Sequence, residues 1–189
     1  MDLFADRLAD RLIQNGADSE KKDIYQYAIA LTLSTGLGMT AILILGAITI
    51  GFRYGLIFLL FFIPLRCICG GYHASTYRKC FLISCGIFIC SMIGYRILLQ
   101  CNPSPALLMG SIAIISILII IKAPILNVNQ PLTAAQVQKN KRLAIAVLII
   151  DILLILILFY VRYNLAVMAE IAIAAVYILM LPKKGEERL

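Results

Sequence analysis

Residues 52–80 read FRYGLIFLLFFIPLRCICGGYHASTYRKC. The first fourteen, 52–65, form an apolar run with a single charge, Arg53. As a helix this run covers only ~21 Å at ~1.5 Å per residue, short of the ~30 Å hydrocarbon core of a bilayer. Behind it, residues 66–80 make a polar island that holds the only histidine of the chain, His73, and Cys80 seven positions later. The run therefore reads as a short or re-entrant membrane segment, or as one that borrows length from Gly51 and the 66–70 stretch. Pro64 near its end fits a kink or a stop.

The rest of the chain repeats the pattern at fuller length. Of 189 residues, 62% are hydrophobic and only 14% charged, where soluble domains carry about a quarter charged. Apolar runs at 25–50, 81–99, 106–121, 143–161 and 165–181 bring the total to six segments. Cys101-Asn102-Pro103-Ser104-Pro105 and Arg162-Tyr163-Asn164 supply turns between them. This is an all-α integral membrane protein, a single membrane domain over 1–189. The four clearer late segments span outright even if the second is re-entrant.

Residues 1–22 form the N-terminal region. Leu3, Phe4, Leu8, Leu12 and Ile13 share one helical face, with Asp6, Arg7, Asp10 and Arg11 off it. That describes an amphipathic interfacial helix, stopped by Asn15-Gly16. Its acids and short apolar stretch do not suit a cleaved signal peptide.

Charge sets the orientation. Of the 17 basic residues, all but Arg53, Arg96 and Arg162 fall in the N-terminal region, the 66–80 island, the 122–142 loop or the C-terminal tail. Such alternation predicts that both termini, the island and the 122–142 loop are cytoplasmic. The net charge of +7 is spread between apolar segments and not gathered into one stripe, so nucleic acid is not an expected partner. The six cysteines lack the spacing of a secreted disulfide scaffold and read as reduced thiols.

His73 and Cys80 invite a nucleophile–base reading. On one continuous helix they would stand ~10.5 Å apart, too far to hydrogen-bond, so the chain must break between them. Gly70-Gly71 provides a flexible, non-helical lead-in, and Ser75 or Thr76 can cap a helix starting near Tyr77. Cys80 then lies in a first helical turn, where the macrodipole, Arg78 and Lys79 present positive charge to a sulfur nucleophile. Each residue alone also suits a plain structural role. Cys67, Cys69, His73 and Cys80 form a C-x-C-x3-H-x6-C series, but this departs from the common zinc spacings. Two acids inside apolar runs, Asp151 and Glu170, are costly at membrane depth. Asp151 is placed to reach the island and pair with His73 or an arginine, and Glu170 to pair with Arg96.

The run Arg66…Gly70-Gly71-Tyr72-His73-Ala74…Cys80 resembles the core motif of the accessory gene regulator B (AgrB) family. Ala123-Pro124…Pro131-Leu132, ahead of the basic residues Lys139, Lys141 and Arg142, resembles that family's cytoplasmic loop. Chain size, the six-segment plan and the amphipathic start agree. The resemblance implies a membrane-embedded cysteine endopeptidase of Gram-positive bacteria, in the bacterial cytoplasmic membrane, that processes a quorum-sensing propeptide. It implies Cys80 as nucleophile, His73 as general base, and Arg66 and Gly71 as motif positions needed for activity. Gly70 lies in the same run, and Ser75 either orients the imidazole or only caps a helix. The partners implied are an AgrD-like propeptide, the lipid bilayer and a second copy in a homodimer, whose close contact small residues such as Gly36, Gly38 and Gly46 would suit. No metal and no cofactor are implied. The competing class is non-enzymatic, a peptide transporter or membrane scaffold.

Overall fold

The computed structural model describes residues 2–70, 77–125 and 133–181. Seven α-helices follow in order: α1 (Asp2–Gln14), α2 (Lys22–Thr49), α3 (Phe52–Cys69), α4 (Tyr77–Cys101), α5 (Pro105–Lys122), α6 (Ala134–Val161) and α7 (Tyr163–Leu179). Five of them, α2 to α6, are long and apolar enough to cross a membrane. The chain is a multi-spanning helical bundle. α7 is apolar but has 17 residues, ~26 Å of helix.

Breakers in the sequence end the helices where they were expected to. α1 stops at Asn15-Gly16, with Gly16 at φ 98°, a conformation that suits glycine. Pro105 starts α5 behind a Ser104 cap, whose Oγ accepts from the Leu107 N–H at 3.4 Å. α6 is the exception: a reciprocal capping box of Thr133 and Gln136 starts it at Ala134, ahead of the apolar run at 143, so Lys139, Lys141 and Arg142 of the expected 122–142 loop are helical. The second membrane segment takes the lengthened form open to it in the sequence. α3 does not stop at Pro64 or Leu65 but continues to Cys69, giving 18 residues or ~27 Å. It takes its extra length from the first residues of the polar island.

The described residues fall into two compact units. One comprises Met1–Ala41 and Ala74–Gly86. Within it, Lys22 at the start of α2 pairs with Asp6 at 3.1 Å and Asp10 at 2.6 Å. These acids stand one turn apart on α1, so one ammonium ties both to the next helix. The small residues Ala5 and Ala9 are fully buried, while Phe4 and Leu12 are 56% and 45% exposed. Alanine thus provides the packed side of α1 and larger apolar groups point away.

The other unit comprises Ile42–His73 and Ile87–Leu189. Its central helix is α7, which packs on α3, α5 and α6, most extensively on α3. Ala166, Ala169, Ala172 and Ala175 are all buried, and such small side chains let helix backbones approach closely in lipid. Phe58 and Phe61 of α3 and Phe88 of α4 fill the core, with the Phe58 ring centroid 5.0 Å from those of both Phe62 and Phe88. α2 crosses α3 at glycine: a Cβ added to Gly46 would lie 3.1 Å from the Gly55 Cα.

That crossing gives Gly46 a partner inside the chain. Gly46→Val is expected to lower stability by about 1–3 kcal/mol through overpacking, read as the thermal midpoint in detergent. Gly36→Val, with nothing within 4 Å of its Cβ, should leave that midpoint unchanged.

Candidate active site

The sequence-predicted residues are distributed between the two units. Of the core motif, Gly71, His73 and Ser75 lie outside the described residues. Cys80 is the fourth residue of α4, in its first turn, and its thiol is free and exposed. Its carbonyl accepts from Ser84 Oγ at 2.9 Å, one turn on. An exposed thiol in a first helical turn faces the positive end of the macrodipole.

In the second unit, Arg66 and Gly70 act at the end of α3. Arg66 reaches one turn forward, and its Nη1 donates to the Gly70 carbonyl. This is how a charged residue is kept inside the helix: it binds a carbonyl that the helix end leaves without an intrahelical donor. Gly70 has φ 70° and ψ −146°, a region essentially restricted to glycine. The turn there brings Gly70 beside Ile125 in a parallel bridge, and the Ile125 N–H donates to the Cys69 carbonyl at 2.9 Å. Thus Gly70 is not a loose lead-in. It is a fixed junction between the end of α3 and the Ala123-Pro124-Ile125 stretch that leaves α5. Two motif stretches far apart in the chain meet at this point.

Asp151 is buried on α6, 5% exposed, and its Oδ2 has no hydrogen-bond partner among the described residues. It lies within electrostatic reach of Cys69, as does Arg66. Among the described residues it forms no ion pair, so a structural pairing with a described arginine is not what holds it. Asp151→Asn removes the ionisable group and keeps the shape. We expect it to leave the thermal midpoint unchanged or raised, by up to about 1 kcal/mol in stability, because no partner is orphaned. A clear fall in the midpoint would contradict that account.

Glu170 does not pair with Arg96. Its Oε1 accepts from Ser111 Oγ of α5, while Arg96 donates to the Thr49 carbonyl at 3.4 Å. A neutral hydroxyl thus serves one carboxyl oxygen without adding a second charge, while Oε2 is buried with no hydrogen-bond partner among the described residues. Sequence position gave the depth of Glu170 but carried no signal for Ser111. The same holds for Lys122, whose Nζ sits 5.1 Å from the Tyr177 ring centroid, a cation–π contact between α5 and α7.

The cysteines of the alternative metal series diverge. Cys67 is exposed and Cys69 buried, as expected for helix positions i and i+2, which do not share a face. Among the described residues, no three His, Cys, Asp or Glu side chains gather into a ligand set.

The model of one protein family, described as Accessory gene regulator B, matches residues 5–181. The match runs through both motif stretches and nearly the whole chain. No curated protein and no solved structure matches.

Proposed function

We infer that this chain, which belongs to the accessory gene regulator B family, is a membrane cysteine endopeptidase that removes the C-terminal tail of an AgrD-like propeptide and leads to its cyclisation. The observation that carries the reading is the exposed Cys80 thiol in the first turn of α4, in a chain whose family match runs through it. A nucleophile must be reachable by a peptide carbonyl, and a cysteine held in a membrane core would not be.

The chemistry follows from the residue types. The Cys80 sulfur attacks the scissile carbonyl, the C–N bond breaks, and His73 delivers a proton to the leaving amine. The tail departs and the remaining peptide is held as a thioester on Cys80. A thiol or hydroxyl of the same peptide then takes the acyl group, closing a thiolactone or lactone and returning the Cys80 thiol. A site near the bilayer interface limits the water that would otherwise hydrolyse the thioester. Arg66 and Gly70 are positioning residues in this scheme, because they set how the island leaves α3, and Gly71 continues that run. Asp151 is a further positioning candidate at the same end of α3, and Ser75 either orients His73 or caps α4.

The distribution of basic residues supports a cytoplasmic location for the site and both termini, in a bacterial cytoplasmic membrane. Lys139, Lys141 and Arg142 would attract an acidic propeptide tail, and the protein would act as a homodimer. The test is co-expression with the propeptide followed by intact-mass analysis. A tail-less peptide together with an acyl adduct mapped to Cys80 is the expected result. Peptide that is exported or held but never cut would overturn the peptidase in favour of a transporter or scaffold.

A further inference from the structure

At the start of α3, the opposite end of that helix from Gly70, a hollow of about 300 Å³ is lined by Arg53, Tyr54, Arg162, Tyr163, Asn164 and Leu165. Two arginines, both exposed, therefore line one small space. Among the described residues neither lies within 4.0 Å of a carboxylate. Acids are also remote along the chain: between Asp23 and Glu170 there is only Asp151. Like charges around a shared hollow repel, and the repulsion is strongest where lipid lowers the dielectric.

The helix ends around the hollow are mixed, because α2 ends at Thr49 just before α3 and α6 ends at Val161 just before α7. α3 and α7 both begin at this hollow, and neither has a side-chain cap on its first turn. α5 and α6, by contrast, are capped by Ser104 and Thr133. Of the lining amides, those of Tyr54 and Leu165 are taken by the Gly51 and Arg162 carbonyls at 3.1 and 2.9 Å, which leaves only the earliest N–H groups of each helix without an intrahelical partner. Tyr163 is held in place by its hydroxyl, which donates to the Pro103 carbonyl at 2.9 Å. The hollow thus combines a small volume with two cations that have no carboxylate partner among the described residues, which together suit one compact anion.

We propose that this hollow binds the phosphate of an anionic phospholipid headgroup. The lipid source follows from what adjoins the lining residues. Phe52, immediately before Arg53, is 52% exposed, and Tyr160 and Val161, immediately before Arg162, are 94% and 62% exposed. These exposed apolar side chains are next in sequence to the two arginines, and an acyl chain below a headgroup needs apolar surface beside the charge. A soluble phosphate would need the guanidinium groups alone.

The experiment uses the full chain reconstituted in phosphatidylcholine with and without phosphatidylglycerol. Lipid retained on extraction is read by native mass spectrometry, and the thermal midpoint is read with each lipid. Wild type is expected to retain phosphatidylglycerol preferentially and to be stabilised by it. Arg53→Gln and Arg162→Gln should each reduce retention about fivefold or more, the loss expected for a charge-assisted bidentate contact. The double variant should show no preference and no lipid-dependent shift in midpoint, while Arg11→Gln, an exposed arginine on α1, behaves as wild type. The shift compares each variant with itself, so a change in intrinsic stability does not obscure it. Preferential retention by the double variant, or equal loss in Arg11→Gln, overturns the site. Stabilisation by inorganic phosphate in lipid-free detergent, matching that by phosphatidylglycerol and lost in the double variant, overturns the lipid in favour of a soluble anion.

Discussion

Replacing Cys80 by alanine is expected to abolish release of the propeptide tail while leaving the protein folded. Removing a nucleophile that forms a covalent intermediate costs about 10³-fold or more in rate. Stability should not follow, because the side chain is exposed and surface substitutions usually move it by less than about 0.5 kcal/mol. This separation of activity from stability is what a catalytic role requires. Cys67→Ser supplies the contrast, since Cys67 is also a free, exposed thiol but lies on α3 outside the proposed chemistry. It should cut at the wild-type rate. His73→Ala should lose cleavage as Cys80→Ala does, through the proton rather than the bond to sulfur. The measurement is intact mass of the co-expressed propeptide, with the thermal midpoint of each variant in detergent. Full cleavage by Cys80→Ala would sink the peptidase and leave a transport or scaffold role.

The second large effect is expected at a residue that performs no chemistry. Gly70→Ala places a Cβ 2.8 Å from the Ile125 carbonyl oxygen, inside van der Waals contact with backbone that cannot swing aside. It also asks alanine to adopt φ 70° with ψ −146°, a conformation costing about 1–3 kcal/mol. The overlap adds about 1–3 kcal/mol more if the junction is kept. The chain will instead open there, releasing the Ile125 N–H from the Cys69 carbonyl. Hydrogen exchange of the Ile125 amide reads this directly: slow in wild type, fast in Gly70→Ala. Tail release should fall with it, because the island that carries His73 leaves α3 through this residue. An Ile125 amide equally protected in both proteins would contradict the account.

Much of the fold could be read from the sequence because hydropathy and helix breakers act locally. Asn15-Gly16 and Ser104-Pro105 mark helix ends through their own backbone preferences, and the structure agrees with both, whereas the turn expected at Arg162-Tyr163-Asn164 shrinks to Arg162, with Tyr163 and Asn164 already in α7. The sequence left the second segment two forms, a stop near Pro64 or an extension into 66–70, and the structure has the extension for a physical reason. Arg66 lowers local hydropathy, yet its side chain turns forward to the Gly70 carbonyl and helps the helix continue to Cys69. Contacts between distant helices were less accessible. Gly46 reads as a small residue fit for a close approach, but that its partner is Gly55 of the next helix depends on how α2 and α3 cross. Glu170 likewise announces a need for a partner without naming Ser111. At the candidate site, the motif gave residue types and spacing. The clamp between Gly70 and Ile125 emerged only when α3 and α5 were brought to one end of the bundle.

The helix at the centre of the second unit is also the last of the seven to be made. α3 ends at Cys69 and α5 at Lys122, whereas α7 begins at Tyr163. During synthesis the inner faces of α3, α5 and α6 must therefore remain in lipid, or touch one another, until α7 arrives. Glu170 likewise carries a carboxyl group that meets the Ser111 hydroxyl only when α7 docks on α5. A nascent chain interrupted before Tyr163 would hold all five helices long enough to span the membrane and still lack the surface they assemble around. Among the described helices, the one that α3, α5 and α6 all pack on is thus the last to be synthesised.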